Sequence, residues 1–203
     1  MPERLIEDRL REEYFDLLPE IQRVLWQLEA EIRFHTLPIL HDLKKPEQLL
    51  VKSRVKDCES AIETLRRISE GRQFDPEQAS SYSLLDLPDL AGVRVLVFPD
   101  RRLKEIDDAL RGRFPDWIAK PIPYVEKTRI VPKYFGYCHN ASNNVRGEYQ
   151  IVPMLLGLFW EVEHSAMYKF RAVANSKEMQ ERRADVERSL DNFEKGIERF
   201  IQF

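Results

Sequence analysis

The chain has 203 residues, enough for one well-buried domain with a helical extension, and its 43% hydrophobic and 33% charged content excludes a disordered polymer. A net charge of −3 argues against a protein that coats nucleic acid without specificity, while leaving room for a local basic site. The two cysteines, Cys58 and Cys138, lack metal-ligand spacing, no window reaches the apolar length of a membrane span, and the N-terminus lacks signal-peptide order, so a soluble cytoplasmic protein is expected.

Between residues 4 and 33, Leu5, Ile6, Leu10, Tyr14, Leu17, Leu18, Ile21, Leu25, Leu28 and Ile32 recur at helical spacing among charges, which predicts a long amphipathic helix. A second helix is predicted over 47–69 from Leu49, Leu50, Val55, Ala61, Ile62, Leu65 and Ile68, with Gly71 near its end. After a polar connection holding Pro76 and Pro88, residues 91–98 form an apolar strand, and Pro99-Asp100 starts a helix into Leu103, Ile106 and Leu110. Residues 114–147 carry Pro115, Pro121, Pro123, Pro132 and Gly136, so short strands and a long loop are predicted there. Trp117–Ala119 and Gly147–Val152 are its best strand candidates. Pro153 opens an apolar helix, Met154 to about Tyr168, predicted to be largely buried. Asn175-Ser176 would cap a last helix whose Val186, Leu190, Phe193, Ile197 and Phe200 form a packing seam, against this chain or another copy. The chain thus divides into a helical region at 1–46, a core at 47–172 and a C-terminal helix at 173–203.

Chemistry concentrates on the strand from Asp89 to Phe98. Val93, Val95 and Val97 share one face, so Arg94 lies on the other with Leu96 and Phe98. A guanidinium keeps its charge, so on a covered strand it needs an anionic partner or a route to water. With Asp89 at the strand entrance the pair suits a metal-bound phosphate; a structural arginine paired with a carboxylate is the alternative. Glu148 begins a second strand and shares its face with Gln150. If the strands are adjacent, Asp89 and Glu148 could hold Mg²⁺, or Glu148 could take a proton from an attacking hydroxyl, although surface-strand acids are commoner.

Arg54, Lys56 and Ser60, near a helix start, could bind a polyphosphate or merely form a solvated helix end. Lys120, Lys127, Arg129 and Lys133, interleaved downstream with Tyr134, Phe135 and Tyr137, could bind phosphate and stack a base, or the aromatics could pack on the core. His164, with Glu161 and Lys169 on its helix, could face the site or be a satisfied structural histidine. His41-Asp42 is dismissed as a metal pair, because only His35 is near it.

Five motifs in order resemble the synthetase domain of the RelA/SpoT family of alarmone (p)ppGpp synthetases, most of all a small single-domain member. They are Ser53-Arg54-Val-Lys56 with Ser60, Asp89-Leu-Ala-Gly-Val-Arg94, Pro132-Lys133-Tyr-Phe-Gly136-Tyr137, Glu148-Tyr-Gln150-Ile, and Glu163-His164 followed by Tyr168-Lys169. The resemblance implies an α+β fold, a mixed nucleotidyltransferase-like sheet flanked by long N- and C-terminal helices. It implies Mg²⁺-dependent transfer of the β,γ-pyrophosphate of ATP to a ribose 3′-hydroxyl, usually of GDP or GTP. Arg54 and Arg94 would sandwich the adenine, and Lys56 and Ser60 would hold the ATP phosphates. Asp89 would ligate Mg²⁺, and Glu148 would ligate it or act as base. Tyr137 would stack on the acceptor base, with Lys133, Gln150 and His164 on the acceptor side. Arg94 thereby changes from phosphate clamp to cation-π partner of a purine.

Departures cluster on the acceptor side. Gly136-Tyr137-Cys138-His139-Asn140-Ala141 stands where Gly-Tyr-Arg-Ser-Leu-His is usual, Gln150-Ile-Val152-Pro153 where Gln-Ile-Arg-Thr is usual, Thr64 where a lysine is usual and Gly157 where an asparagine is. Each missing charge-assisted contact is worth about 1.5–3 kcal/mol, so their joint loss bears on activity. Three acceptors therefore stay open, a guanine nucleotide, an adenine nucleotide or the 3′ end of tRNA as in toxic members of the family. The alternative is a catalytically weak nucleotide-binding module that pairs with itself or a partner through its terminal helices.

Overall fold

The computed structural model describes residues 3–69, 74–169 and 177–201. Its order is α1 (Glu3–His41), β1 (Gln48–Val55), α2 (Cys58–Ile68), β2 (Ala91–Phe98), α3 (Leu103–Arg113), β3 (Ile118–Ala119), β4 (Ile122–Tyr124), β5 (Arg129–Val131), β6 (Lys133–Tyr137), β7 (Arg146–Pro153), α4 (Met154–Lys169) and α5 (Lys177–Ile201). This is the expected α+β architecture. Five strands form one sheet in the order β1-β2-β7-β6-β3, and β4-β5 is a separate hairpin. Only the central β2-β7 pair is parallel, its connection running through α3; the other pairs are antiparallel.

One face of the sheet is the core. Val93, Val95, Val97, Tyr149 and Ile151 point into it, and α1 covers them with Ile6, Leu10, Ile21, Val24, Leu28 and Ile32, all fully buried. At about 25 cal/mol per Å² of apolar surface, such side chains contribute roughly 1.5–3 kcal/mol each, which explains how Pro19 and Pro38 are tolerated inside a 39-residue helix. The helix runs eight residues past the predicted end at 33.

The predicted helix over 47–69 is corrected. Residues 48–55 are an edge strand, and helix begins only at Cys58, where the Asp57 side chain caps it by accepting from the Ser60 amide at 2.9 Å. Leu49, Val51, Ser53 and Val55 alternate toward the core, a period of two that the neighbouring Leu50 disguised as a helical pair. One further correction concerns the C-terminal half. On α4, Leu158 and Val162 are exposed, so among the described side chains the helix is buried along the side holding Met154, Leu156 and Gly157. On α5 the buried side is acidic, Glu187, Asp191 and Glu194, while Val186, Phe193 and Phe200 of the predicted seam stay exposed in the single chain, which leaves the alternative of packing on another copy open. The caps read at Gly71 and Asn175-Ser176 lie outside the described residues. Among the described residues no helix is long and apolar enough to cross a membrane.

Candidate active site

The face of the sheet turned away from α1 and α3 carries the chemistry, in two rows set by strand register. One row runs Lys52, Arg94, Gln150, Lys133; the next runs Arg54, Gly92, Glu148, Phe135. Gly92 puts no side chain between Arg54 and Glu148, which leaves the floor of the second row open. A cavity of about 230 Å³ results, lined by Lys52, Arg54, Arg94, Glu148, Gln150 and Glu161 among others.

Its contacts form a chain. Arg94 Nε donates to Gln150 Oε1 at 3.3 Å, and Gln150 Nε2 donates to Glu148 Oε1 at 2.6 Å. Lys133 Nζ stands 2.5 Å from Glu148 Oε2. Glu148 and Gln150 are 5% and 8% exposed, so these groups are held rather than solvated. Burial, and then repulsion from Arg54, lowers the Arg94 pKa. Among the described residues Arg94 has no ion pair within 4 Å, so two guanidiniums share the cavity, with Glu148 and Glu161 acting on Arg94 only from a distance.

At the same end of the sheet, Asp89 precedes β2 and Lys56 follows β1, and Lys56 Nζ donates to Asp89 Oδ2 at 2.6 Å. The backbone there is fixed by the Lys56 amide on the Leu90 carbonyl and by the Tyr14 hydroxyl donating to the Lys56 carbonyl. Ser60 is third in α2; burial raises the Asp57 carboxyl, but hydrogen bonding from Ser60 outweighs it and holds the carboxyl below its ordinary range. The cap itself is made by the Ser60 amide.

The structure brings Arg54, Arg94, Glu148 and Gln150 into one cavity, ties Lys133 to it through Glu148, and sets Asp89 and Lys56 beside it. Gln150, expected on the acceptor side, has its amide committed to Arg94 and Glu148. Tyr137 is 39% exposed at the end of β6 and lines a second cavity, of about 640 Å³, with Phe135, Trp117, Arg113 and His139. The side chain of His164, with those of Tyr168 and Lys169, lies outside the described residues. Sequence reasoning missed Lys52 and named Glu161 only beside His164 as able to face the site; the two meet at 2.9 Å across the cavity rim. Lys52 precedes Arg54 by two on the same strand face, a signal hidden by reading this segment as helix. The pairing of Glu161 with Lys52, from a helix more than a hundred residues away, is beyond any local signal.

The basic segment before β6 is only partly available. Arg129 pairs with Asp100 and with Asp191, the latter at 3.0 Å, Tyr134 is buried with its hydroxyl on Asp107 at 2.8 Å, and Lys120 and Lys127 stay exposed. Of the positions that depart from the motifs, His139 and Asn140 are exposed and Thr64 is half-buried, while four are apolar and packed. Val152 is fully buried with Leu96, Tyr124, Val131 and Leu156; Cys138 and Ala141 are 7% and 9% exposed; a Cβ on Gly157 would stand 2.3 Å from Leu96 Cδ2.

The carboxylates fit Mg²⁺. They are hard oxygen donors, and Asp89 Oδ1 is buried with no hydrogen-bond partner. Among the described residues no three acids, histidines or cysteines come together, so two carboxylates would supply the protein's share and phosphates and water the rest.

No family model matches the chain, and no curated relative matches its sequence. Solved structures do. Small alarmone synthetase 1 from Bacillus subtilis superposes with a TM-score of 0.67 at 18% identity, over 94% of this chain and 98% of that one. The chain has the fold of a small alarmone synthetase. The same enzyme bound to its product pppGpp gives 0.68 at 17% identity, over 94% and 97% of the two chains. A GTP pyrophosphokinase family protein from Streptococcus pneumoniae gives 0.63 at 24% identity, over 94% and 95%. Coverage of both partners from end to end means that the long helices belong to the shared fold as well as the sheet.

Proposed function

We propose that the protein is a Mg²⁺-dependent pyrophosphokinase that transfers the β,γ-pyrophosphate of ATP to the 3′-hydroxyl of a guanine nucleotide, GDP or GTP. The observation that carries this reading is the pair of arginines, Arg54 and Arg94, lining one cavity with Glu148, the Arg94 guanidinium desolvated, repelled by that of Arg54 and, among the described residues, without an ion pair of its own. Two like-charged planar groups suit a neutral, electron-rich ring between them, which a purine supplies. The ribose and phosphates then extend toward Lys56, Asp89 and Glu148. Glu148 takes the proton from the attacking 3′-hydroxyl, whose oxygen bonds to the β-phosphorus while the bond from that phosphorus to the α-β bridging oxygen breaks and AMP departs. Lys133 and Lys56, now on the two carboxylates, are within reach to neutralise the transferred phosphates. Mg²⁺ held by Asp89 and Glu148 would neutralise charge on the phosphoryl oxygens. Ser60, whose amide caps on Asp57, would add its hydroxyl to the phosphate ligands. The fold's likeness to a synthetase bound to an ATP analogue, AMPCPP, is consistent with the donor.

One observation favours a second acceptor. Val152, Cys138 and Ala141 present no cation, and Arg129 is tied to Asp100 and Asp191, so the acceptor side suits a ribose without a 5′-polyphosphate, such as the 3′ end of tRNA. The test is incubation with Mg²⁺ and γ-labelled ATP plus GDP, GTP, ADP or bulk tRNA. Label on GDP or GTP supports the first acceptor and label on tRNA the second. Nucleotide binding with no transfer to any acceptor refutes the enzyme and leaves a binding module. Asp89→Asn and Glu148→Gln should each cut transfer by at least about 10²-fold with the melting temperature retained, and wild-type rates in both would discard the proposed metal site.

A further inference from the structure

Trp160 belongs to none of the five motifs, yet its indole lies against Arg94, whose guanidinium carbon stands 5.7 Å from the ring centroid. A guanidinium only donates and a carboxylate only accepts, so Gln150 has one amide orientation between Arg94 and Glu148. Arg94 is therefore held through Nε by Gln150 and lies over the ring of Trp160, while Arg54 repels it. Tryptophan offers a cation the strongest aromatic face, and the indole Nε1 makes no hydrogen bond here, so the ring is used for its face rather than its donor. We propose that Trp160 is a positioning residue for ATP, holding one face of the Arg94 guanidinium so that the other is presented flat to the purine. This rests on the reading of the cavity as the ATP site. A guanidinium already ordered and half desolvated loses little freedom when the base arrives, so preorganisation appears as affinity for the base and not for the phosphates.

The competing account is that Trp160 only fills the apolar cluster of Leu96, Val152 and Leu156. Equilibrium dialysis of ATP and of inorganic tripolyphosphate against wild type, Trp160→Phe and Trp160→Leu separates the two. Trp160→Leu should weaken ATP binding by about tenfold or more, leave tripolyphosphate within about twofold, and Trp160→Phe should recover most of the loss. Trp160→Met carries the test if the leucine variant does not fold. Wild-type ATP affinity in the leucine or methionine variant, equal loss for both ligands, or no recovery by phenylalanine overturns the proposal. A wild-type protein that binds tripolyphosphate but shows no preference for ATP instead refutes the cavity as a purine site.

Discussion

Gly136→Ala tests how tightly the edge of the sheet that carries Tyr137 is built. A Cβ at Gly136 would stand 2.6 Å from Trp117 Cδ1, 2.7 Å from Cγ and 2.8 Å from Nε1. The first distance is roughly 1 Å short of the carbon–carbon optimum of about 3.5 Å, so the indole has to retreat. It has little room. Its centroid is 4.8 Å from that of Phe114 and 5.5 Å from that of Tyr149, and Nε1 donates to the Tyr137 carbonyl at 3.3 Å. Overpacking of this kind costs about 1–3 kcal/mol, and loss of the indole hydrogen bond adds about 0.5–1.5 kcal/mol. Restricting the unfolded glycine returns about 0.4–1 kcal/mol, which leaves a net loss of about 0.5–4 kcal/mol. For a chain of this length each kcal/mol lowers Tm by about 2–4 °C, so a drop of roughly 1–16 °C is expected in thermal melts. Urea unfolding of Gly136→Ala, Trp117→Leu and the double variant provides the control. The new methyl should fit the space left by the indole, with a coupling of about 1–3 kcal/mol. A single variant as stable as wild type, or strictly additive losses, would refute the close contact.

Two further predictions concern buried groups on the far side of the site. Burial and a hydrogen bond to Asp100 push the Glu194 carboxyl up to about 9, above its ordinary 4.5, and burial raises Asp100 as well. A carboxyl raised on folding gives stability that is complete below about pH 4.5 and lost as pH rises toward about 9. Glu194→Gln, which keeps a donor and removes the titration, should flatten the fall in Tm between pH 5 and pH 9 and add on the order of 1–3 kcal/mol near pH 8; a slope equal to wild type would show that Glu194 does not titrate in this range. Val152→Arg, which writes the usual cation back into the β7 motif, should destabilise the protein by at least about 3 kcal/mol without raising transfer, because the position is fully buried among apolar side chains. A folded Val152→Arg protein with higher activity toward GTP would mean that the cluster opens and the position is a phosphate site.

The sheet face was legible wherever strand alternation fixed it. Arg94 opposite Val93 and Val95, and Glu148 with Gln150, carry their orientation in a period of two, and the structure puts all three side chains on the predicted side. β1 was not legible, because an edge strand needs only one face apolar and Leu49-Leu50 breaks the alternation at its start. Pairing was illegible in principle. That Lys133 rather than solvent neutralises Glu148, that Arg129 leaves the basic loop for Asp100 and Asp191, and that Trp160 meets Arg94 are all long-range facts fixed by packing.

The two sides of the cavity differ in how they depart from the family's usual sequence. On the side proposed for the donor every charged group of the motifs is present except the lysine replaced by Thr64, and the structure adds Trp160, Lys52 and Glu161 around it. On the acceptor side Val152, Cys138, Ala141 and Gly157 are integrated into packed apolar surroundings rather than left as gaps. Gly157 is the clearest case, since any side chain there would collide with Leu96, which packs in the same cluster as Val152. A cation returned at 152 would have to displace Leu96, Tyr124 and Val131, so the changes hold one another in place. Mutual packing of this kind makes the altered acceptor side a property of the fold rather than of single residues. Acceptor choice should accordingly respond to changes at exposed Tyr137 and half-buried Phe135, which line the second cavity, and resist changes at the buried positions, which do not.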